Sequence, residues 1–343
     1  MSFGLQSAQV QGTPYLTNLT YSLAMEQGWL ALRLAPVMPV NAESTTFWAK
    51  TFAYGRTDGD VSQDGLSPSP SSAPPLSTGT FAVSPKSHSS ILTERMKQNA
   101  MRSPTGFKAL EESYASWPAS ILAMNLEKAL HTLMTTTGTY FGASQYTDLS
   151  TSASLQFDSH ATSNPLATVI QYCRAIQAVS GLPRKALTIT MGRAVYDVLL
   201  QHPDLADRIK YIRSTLQRDL SESDIAGFFG VKEVLVGDVI EVTSPPGITE
   251  TSSFTWGKDL YISYVDPSPT QTAGTAGSFF TASVTASDNG VVGAPWASRA
   301  IVLQDPLATK YITEGIFGVN AGKITGEGVR TAAWIQNAVS SAA

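Results

Sequence analysis

Cysteine occurs once in these 343 residues, as Cys173, and histidine only four times, as His88, His131, His160 and His202. A lone cysteine excludes a disulfide framework, and no two histidines stand two, three or four apart, so no local metal-ligand motif exists. Charged residues make up 15 % of the chain, below the usual quarter of a soluble domain, and the formal net charge is −4. That balance excludes avid nucleic-acid binding, which needs clustered Lys and Arg to displace counterions, though not a protein that merely encloses DNA. No window approaches 18 uninterrupted apolar residues, and Met1–Gln6 has neither the basic start nor the apolar core of a signal segment. The expectation is a soluble protein made in a reducing cytoplasm.

Ser, Thr, Gly and Pro stand where charge is missing. The densest run of recognisable elements lies between Asn164 and Asp266. Asn164-Pro165 supplies an N-cap followed by proline at the first helical position, and Leu166, Val169, Ile170, Cys173 and Ile176 recur at helical spacing until Gly181. Residues 186–191 alternate as a strand with Leu187, Ile189 and Met191 on one side. Gly192 opens a second helix with Ala194, Val195, Val198 and Leu199 inward, stopped by His202-Pro203; Asp204 can cap a further turn to Tyr211. Ser221 to Asp224 starts a short helix that buries Ile225, Phe228 and Phe229 and closes at Gly230. Two β-rich pieces follow, Val231–Val242 and Phe254–Val265, separated by Pro245-Pro246-Gly247.

This order resembles the axial domain of tailed-phage major capsid proteins. The residues that carry the resemblance are Gly192-Arg-Ala-Val-Tyr-Asp-Val-Leu-Leu-Gln-His-Pro-Asp204, Phe228-Phe-Gly-Val231, Val234-Leu-Val-Gly237 and Trp256-Gly-Lys-Asp259. Each motif alone is common; their order and spacing carry the specificity, close over roughly a third of the chain. The resemblance implies an α+β chain with the Hong Kong 97-type shell fold: an N-terminal arm (1–45), an extended loop or E-loop (46–90), a peripheral domain with a spine helix (91–163), an axial domain (164–277) and a return to the peripheral domain (278–343). It implies a shell of pentamers and hexamers made from copies of the chain. The shell would be an icosahedral or prolate phage head in the virion, assembled in the host cytoplasm around DNA held without sequence-specific binding. A portal and decoration proteins are the partners expected with it. Because little sequence precedes the arm, a separate scaffolding protein is expected too. The alternative is an encapsulin-like compartment holding cargo enzymes.

The rest of the chain is read with that frame beside the residues. Gly28–Pro39 is apolar and ends in prolines, and is expected to lie on a neighbouring subunit. Phe47 to Tyr54 alternates, residues 67–85 are Ser/Pro-rich, and Phe81-Ala-Val83 can return as a strand, which together make a protruding hairpin. Residues 91–108 hold the most basic local run, Arg95, Lys97, Arg102 and Lys108, read as a solvated face or subunit contact. The best helix carries Leu122, Leu126, Ala129, Leu130 and Leu133 in one stripe, with Pro118 near its start and a break at Gly138. Residues 139–163 suit a strand of the peripheral sheet. Residues 278–285, 300–303, 310–318 and 329–335 read as strands, the last two returning to the spine-helix domain.

Candidate chemistry fails on spacing. In Gly315 to Thr325 the earlier glycine, Gly318, stands one residue too close to Gly322-Lys323 for a phosphate loop, and Ile324 replaces the magnesium-binding hydroxyl. His202-Pro203-Asp204 matches the J-domain tripeptide, yet the residues before it are neutral to acidic, and a helix end explains all three. Glu111-Glu112 and Asp204/Asp207 read as acids at helix starts, and Cys173 as a buried structural thiol. No catalytic, cofactor-binding or metal residue is assigned, and the chain is read as non-enzymatic. Lys50 and Lys86 could serve the loop-to-neighbour cross-links of some relatives, but no acceptor is positioned and none is expected to form.

Overall fold

A computed structural model describes residues 14–26, 28–50, 76–102, 106–136, 141–142, 144–205, 221–244, 247–271, 275, 277–288, 293–304, 307–323 and 329–340. In chain order the elements are α1 (Pro14–Glu26), α2 (Ala31–Leu34), β1 (Val37–Pro39), β2 (Ser44–Lys50), β3 (Leu76–Ala82), β4 (Ser84–Thr93), α3 (Glu94–Met101) and α4 (Gly106–Met134). Then come β5 (Tyr146–Asp148), α5 (Pro165–Ser180), β6 (Leu187–Gly192), α6 (Arg193–Gln201), α7 (Glu222–Phe229), β7 (Glu233–Gly237), β8 (Ile240–Val242), β9 (Ser252–Phe254) and β10 (Leu260–Tyr264). The chain closes with β11 (Phe279–Ser283), α8 (Thr285–Asp288), β12 (Ala297–Gln304), β13 (Leu307–Ala321) and β14 (Ala332–Gln336).

One sheet runs β1–β11–β13–β12, with β4 on the opposite side of β13. Its centre is β13, where Thr309, Tyr311, Thr313, Gly315 and Phe317 point inward at every second residue. The other sheet runs β5–β14–β10–β6–β7 and is covered on both faces. Leu187, Ile189 and Met191 of β6 join Val169, Cys173 and Ile176 of α5, Val195 of α6 and Phe229 of α7 in one core. On the opposite face Leu235, Tyr261 and Trp334 meet α2 and α4 in a second core. At one end of this sheet Gly192 and Gly237 stand opposite each other. A Cβ on the first would lie 1.9 Å from the Gly257 carbonyl oxygen and one on the second 2.1 Å from the Trp256 ring, so both must be glycine for the Trp256–Gly257 turn to close over them.

The caps read from sequence are present. Asn164 Oδ1 accepts the Ala167 N–H at 2.9 Å, Gly181 has φ 73°, and Ser221 with Asp224 forms a reciprocal capping box ahead of Gly230 at φ 65°. The helical face of α6 includes Tyr196, which the spacing argument left out.

Four expectations are corrected. Pro118 lies in the middle of α4, not near its start. A proline there removes the amide that would bond the Tyr114 carbonyl, and the Ser90 hydroxyl of β4 donates to that carbonyl in its place. The apolar stretch Gly28–Pro39 packs on its own body: Leu30, Ala31, Leu34, Ala35 and Met38 are buried, and β1 pairs in parallel with β11. The strand in 139–163 is β5, and it joins β14 rather than the sheet of β4 and β13, while β14 itself lies between β5 and β10. A period of two identifies a strand but is blind to which sheet receives it. Lastly, Glu111-Glu112 stand in the second turn of α4: Glu111 accepts the Tyr311 hydroxyl at 2.7 Å, and Glu112 faces Lys108 at 3.9 Å. The turn to Tyr211, the hairpin tip from Thr51 to Pro75 and the Pro245-Pro246 linker lie outside the described residues.

Replacing Ser90 by Ala leaves the Tyr114 carbonyl unpaired and is expected to cost about 1–2 kcal/mol. In a Pro118→Ala background the restored amide serves that carbonyl, and the same replacement is expected to cost less than about half as much. Urea unfolding of the four proteins of this double-mutant cycle measures both.

Candidate functional site

Glu127 has no solvent exposure, although it is a carboxylate within α4, toward its C-terminal end. Its position follows from helical spacing: Ala119, Leu122, Ala123, Leu126 and Leu130 define the buried face, and Glu127 falls on it. The cost of burying it is offset by donors from two distant segments. The Ala31 N–H donates to Oε2 at 2.6 Å, the Trp256 indole N–H to Oε1 at 2.6 Å, and the Leu30 amide is a further donor. The carboxylate thus caps α2 from outside and binds the turn before β10. Burial still outweighs these bonds and pushes its pKa up to about 7.

One helical turn on, His131 sits edge-on to both the Trp256 and Tyr261 rings, at 5.6 and 6.1 Å between centroids. The Tyr261 hydroxyl lies 3.4 Å from its Nε2 and also donates to Asp259 at 3.2 Å. Burial pulls the imidazole down to about 4, the nearby Glu241 carboxylate pulling weakly the other way. Asp259 in turn accepts the Asn337 amide at 2.8 Å, and the Asn337 side chain donates to Asp148 at 2.8 Å. Asn337 holds this geometry at φ 52°. The network runs from the N-terminal segment to the last strand and contains no nucleophile with a base beside it.

Of the residues singled out from sequence, His160 and His202 come together with ring centroids 5.3 Å apart. Ser163 Oγ lies 3.2 Å from His202 Nε2, and Asp204 stands on the Nδ1 side, an arrangement with the outline of a hydrolase triad. The protons are in the wrong places for one. The Asp204 backbone N–H donates to Nδ1 at 3.3 Å, so the ring proton is on Nε2 and the serine hydroxyl accepts it. These residues cap a helix end, and burial holds the His202 pKa down. Cys173 is buried and its thiol is pushed up to about 11. Gly315 and Gly318 lie within β13, paired with Lys86 and Ala282, so neither stands in a loop. Lys86 sits on the same sheet with its ammonium 5.0 Å from the Phe317 ring, while Lys50 ends β2 opposite Leu76. Lys97 of the basic run donates to Thr309 Oγ1 at 2.5 Å. No cluster of three His, Cys, Asp or Glu suited to a metal occurs among the described residues.

Among the described residues, apolar side chains face outward on several elements. The β2–β3 hairpin pairs from Ser44↔Ala82 to Lys50↔Leu76, with Phe47 and Phe81 against Phe280 in its own core and Trp48 turned out, 45 % exposed. The β8–β9 ribbon leaves Ile240, Val242 and Ile248 exposed. Beside it a groove of about 590 Å³ runs between Trp29, Leu235 and Ile240, rimmed by Arg33, Glu222 and Asp238. Arg33 reaches Glu233 at 3.2 Å and Arg193 reaches Asp238 at 3.6 Å, so the rim is a set of ion pairs over an apolar floor. Finally, the tip of the β12–β13 hairpin exposes Ile301, Val302 and Leu307. An apolar exterior of this kind marks surfaces that meet other proteins.

No known family profile matches the sequence, and no curated protein matches it. Solved structures do. A phage-related protein from Bordetella bronchiseptica RB50 superposes over 96 % of this chain and 98 % of its own, with a TM-score of 0.69 at 14 % identity. The capsid of cyanophage P-SCSP1u covers 88 % of this chain and 86 % of its own at a TM-score of 0.51 and 9 % identity. A virus-like particle from Pyrococcus furiosus covers 94 % and 98 %, at 0.50 and 11 %. The α+β fold of this chain is therefore the capsid-protein fold that the sequence motifs pointed to, over nearly its whole length.

The Glu127–His131 pair predicts a compensated pH response. Glu127 is raised in the folded state, so its contribution is full below about pH 4.5 and is lost as pH rises through about 7. His131 is depressed, so its contribution grows as pH rises from about 4 to 6.5. Relative to the parent, Glu127→Gln is expected to gain stability between pH 4.5 and 7 and His131→Gln to lose it over a similar window, each on the order of 3 kcal/mol. Urea midpoints of the unassembled subunit across this range check the opposite tilts; parallel curves refute them.

Proposed function

We propose that this chain is the major capsid protein of a tailed bacteriophage. Copies of it would join as pentamers and hexamers into an icosahedral or prolate head that encloses the DNA genome. The observation that carries the reading is the superposition on the cyanophage capsid protein over 88 % of this chain and 86 % of that one. The outward apolar residues support it, because a monomer gains nothing by exposing Trp48, Ile240, Val242 and Val302. Contact between subunits would cover them; ~1,000 Å² of apolar contact is worth ~25 kcal/mol before the costs of association.

The division into arm, extended loop, peripheral domain and axial domain belongs to this proposal. In it the β2–β3 hairpin is the base of the extended loop, α4 is the spine helix, and the α5–α7 layer with its sheet is the axial domain. The partners are other copies of the chain, a separate scaffolding protein, a portal and decoration proteins. The net charge of −4 accords with DNA held by enclosure rather than by specific contacts. A second reading, a compartment filled with protein, stays in view because the Pyrococcus furiosus structure that shares the fold is a virus-like particle.

Electron microscopy of the purified chain, alone and with a scaffolding protein co-expressed from the same genome, tests the proposal. Closed shells with nuclease-resistant DNA or a portal vertex are the expected result. Shells that contain only a co-purifying enzyme select the compartment reading, and monomers at every concentration refute both. Trp48→Asp is expected to leave the subunit's urea midpoint within about 0.5 kcal/mol, as for an exposed site, while shells give way to free subunits or capsomers in sedimentation.

A further inference from the structure

Strand β12 is the outer strand of its sheet. It pairs with β13 from Ala297↔Glu314 to Gln304↔Leu307 without a bulge, and no strand among the described residues pairs with its far edge. The first part of that edge is closed by α1: the Ser298 N–H points away from β13 and donates to Thr17 Oγ1 at 2.9 Å. Backbone groups alternate sides along an antiparallel strand, so the amides and carbonyls of Ala300, Val302 and Gln304 point the same way as those of Ser298. None of the three has a hydrogen-bond partner on that side among the described residues.

The side chains there are equally uncovered. Residues 300–303 read Ala-Ile-Val-Leu, Val302 is 70 % exposed, and Leu307 across the hairpin end is 57 % exposed. Free edges in natural sheets are guarded by lysine, proline or a bulge. This one carries no such guard between Ala300 and Gln304. The sole charge on the strand, Arg299, is held by Glu314 on β13 at 2.7 Å.

We propose that the Ala300–Gln304 edge of β12 is an interface between two copies of this chain, closed by antiparallel pairing with the same edge of the second copy. A row of open main-chain donors and acceptors fits an extended backbone, not a helix or a small ligand. A second copy presents the matching row with no like charge to oppose it, and each uncharged, β-branched residue gains a cross-strand neighbour. Five residues a side bury well under the ~800 Å² per partner of a standard interface. The contact therefore does not hold an isolated dimer and works where many others are made alongside it. In that respect it rests on the shell reading.

Ala300→Cys, Ile301→Cys and Val302→Cys, each assembled into particles and treated with a short thiol cross-linker, test the pairing directly. Whichever residue centres an antiparallel pairing of this edge faces its own copy, so one of the three is expected to give a dimer on a denaturing gel. The parent chain, whose sole cysteine is buried, is expected to stay monomeric on the same gel. Particles in which none of the three cross-links overturn the proposal, and so does an equal yield from an Ile248→Cys control on the exposed β8–β9 loop. Val302→Lys is expected to keep the subunit's urea midpoint and to lower particle yield at least tenfold. An unchanged yield overturns the edge contact and leaves the shell reading standing, whereas a parent chain that forms no particles removes both.

Discussion

A carboxylate that cannot reach water must find donors inside the protein, and for Glu127 they come from opposite ends of the fold. The amides at Leu30 and Ala31 and the indole of Trp256 converge on it. That convergence sets where α2 begins, and through α2 it sets the start of β1 and the base of the β2–β3 hairpin. It also fixes the Trp256–Gly257 turn, which closes over Gly192 and Gly237 at the end of the second sheet. The two sheets share no strand among the described residues; α4 and this junction hold one against the other, together with Ser278, whose hydroxyl donates to the Thr331 carbonyl and accepts the Tyr264 N–H. The stacked rings of Tyr261 and Trp334, 6.0 Å apart, extend the contact across the sheet face below.

The parts most legible in the sequence were those governed by local chemistry. The caps of α5 and α7, the glycines that end them and the inward face of β6 all follow from neighbours within a few residues. The order of these parts was specific enough to point to the fold, although the three structures described above are only 9–14 % identical. Such likeness survives because a shell fold constrains hydrophobic period, turn geometry and element order rather than particular side chains.

What sequence reasoning missed lies in contacts between distant segments. Glu127 reads as one more charge on a long helix, and only counting it onto the apolar stripe with Leu126 and Leu130 would have flagged it as buried. Pro118 looked like a helix start because prolines favour that position; the hydroxyl that compensates for it sits on β4, at Ser90. The stretch Gly28–Pro39 was correctly seen as too apolar for water, but its partner is the body of its own chain, including α4 and β11. Placement of β14 beside β5 and β10 depends on a pairing that no local signal encodes.

The proline in α4 has a mechanical consequence. A helix of 29 residues spans ~43 Å and ordinarily resists flexing because every turn is stitched to the next. At Pro118 one stitch is already missing, so this is where the rod yields with least loss. The Ser90 hydroxyl that grips the Tyr114 carbonyl is attached to β4, and β4 lies along β13. Any change in curvature of the rod is thereby geared to a displacement of the sheet beneath it.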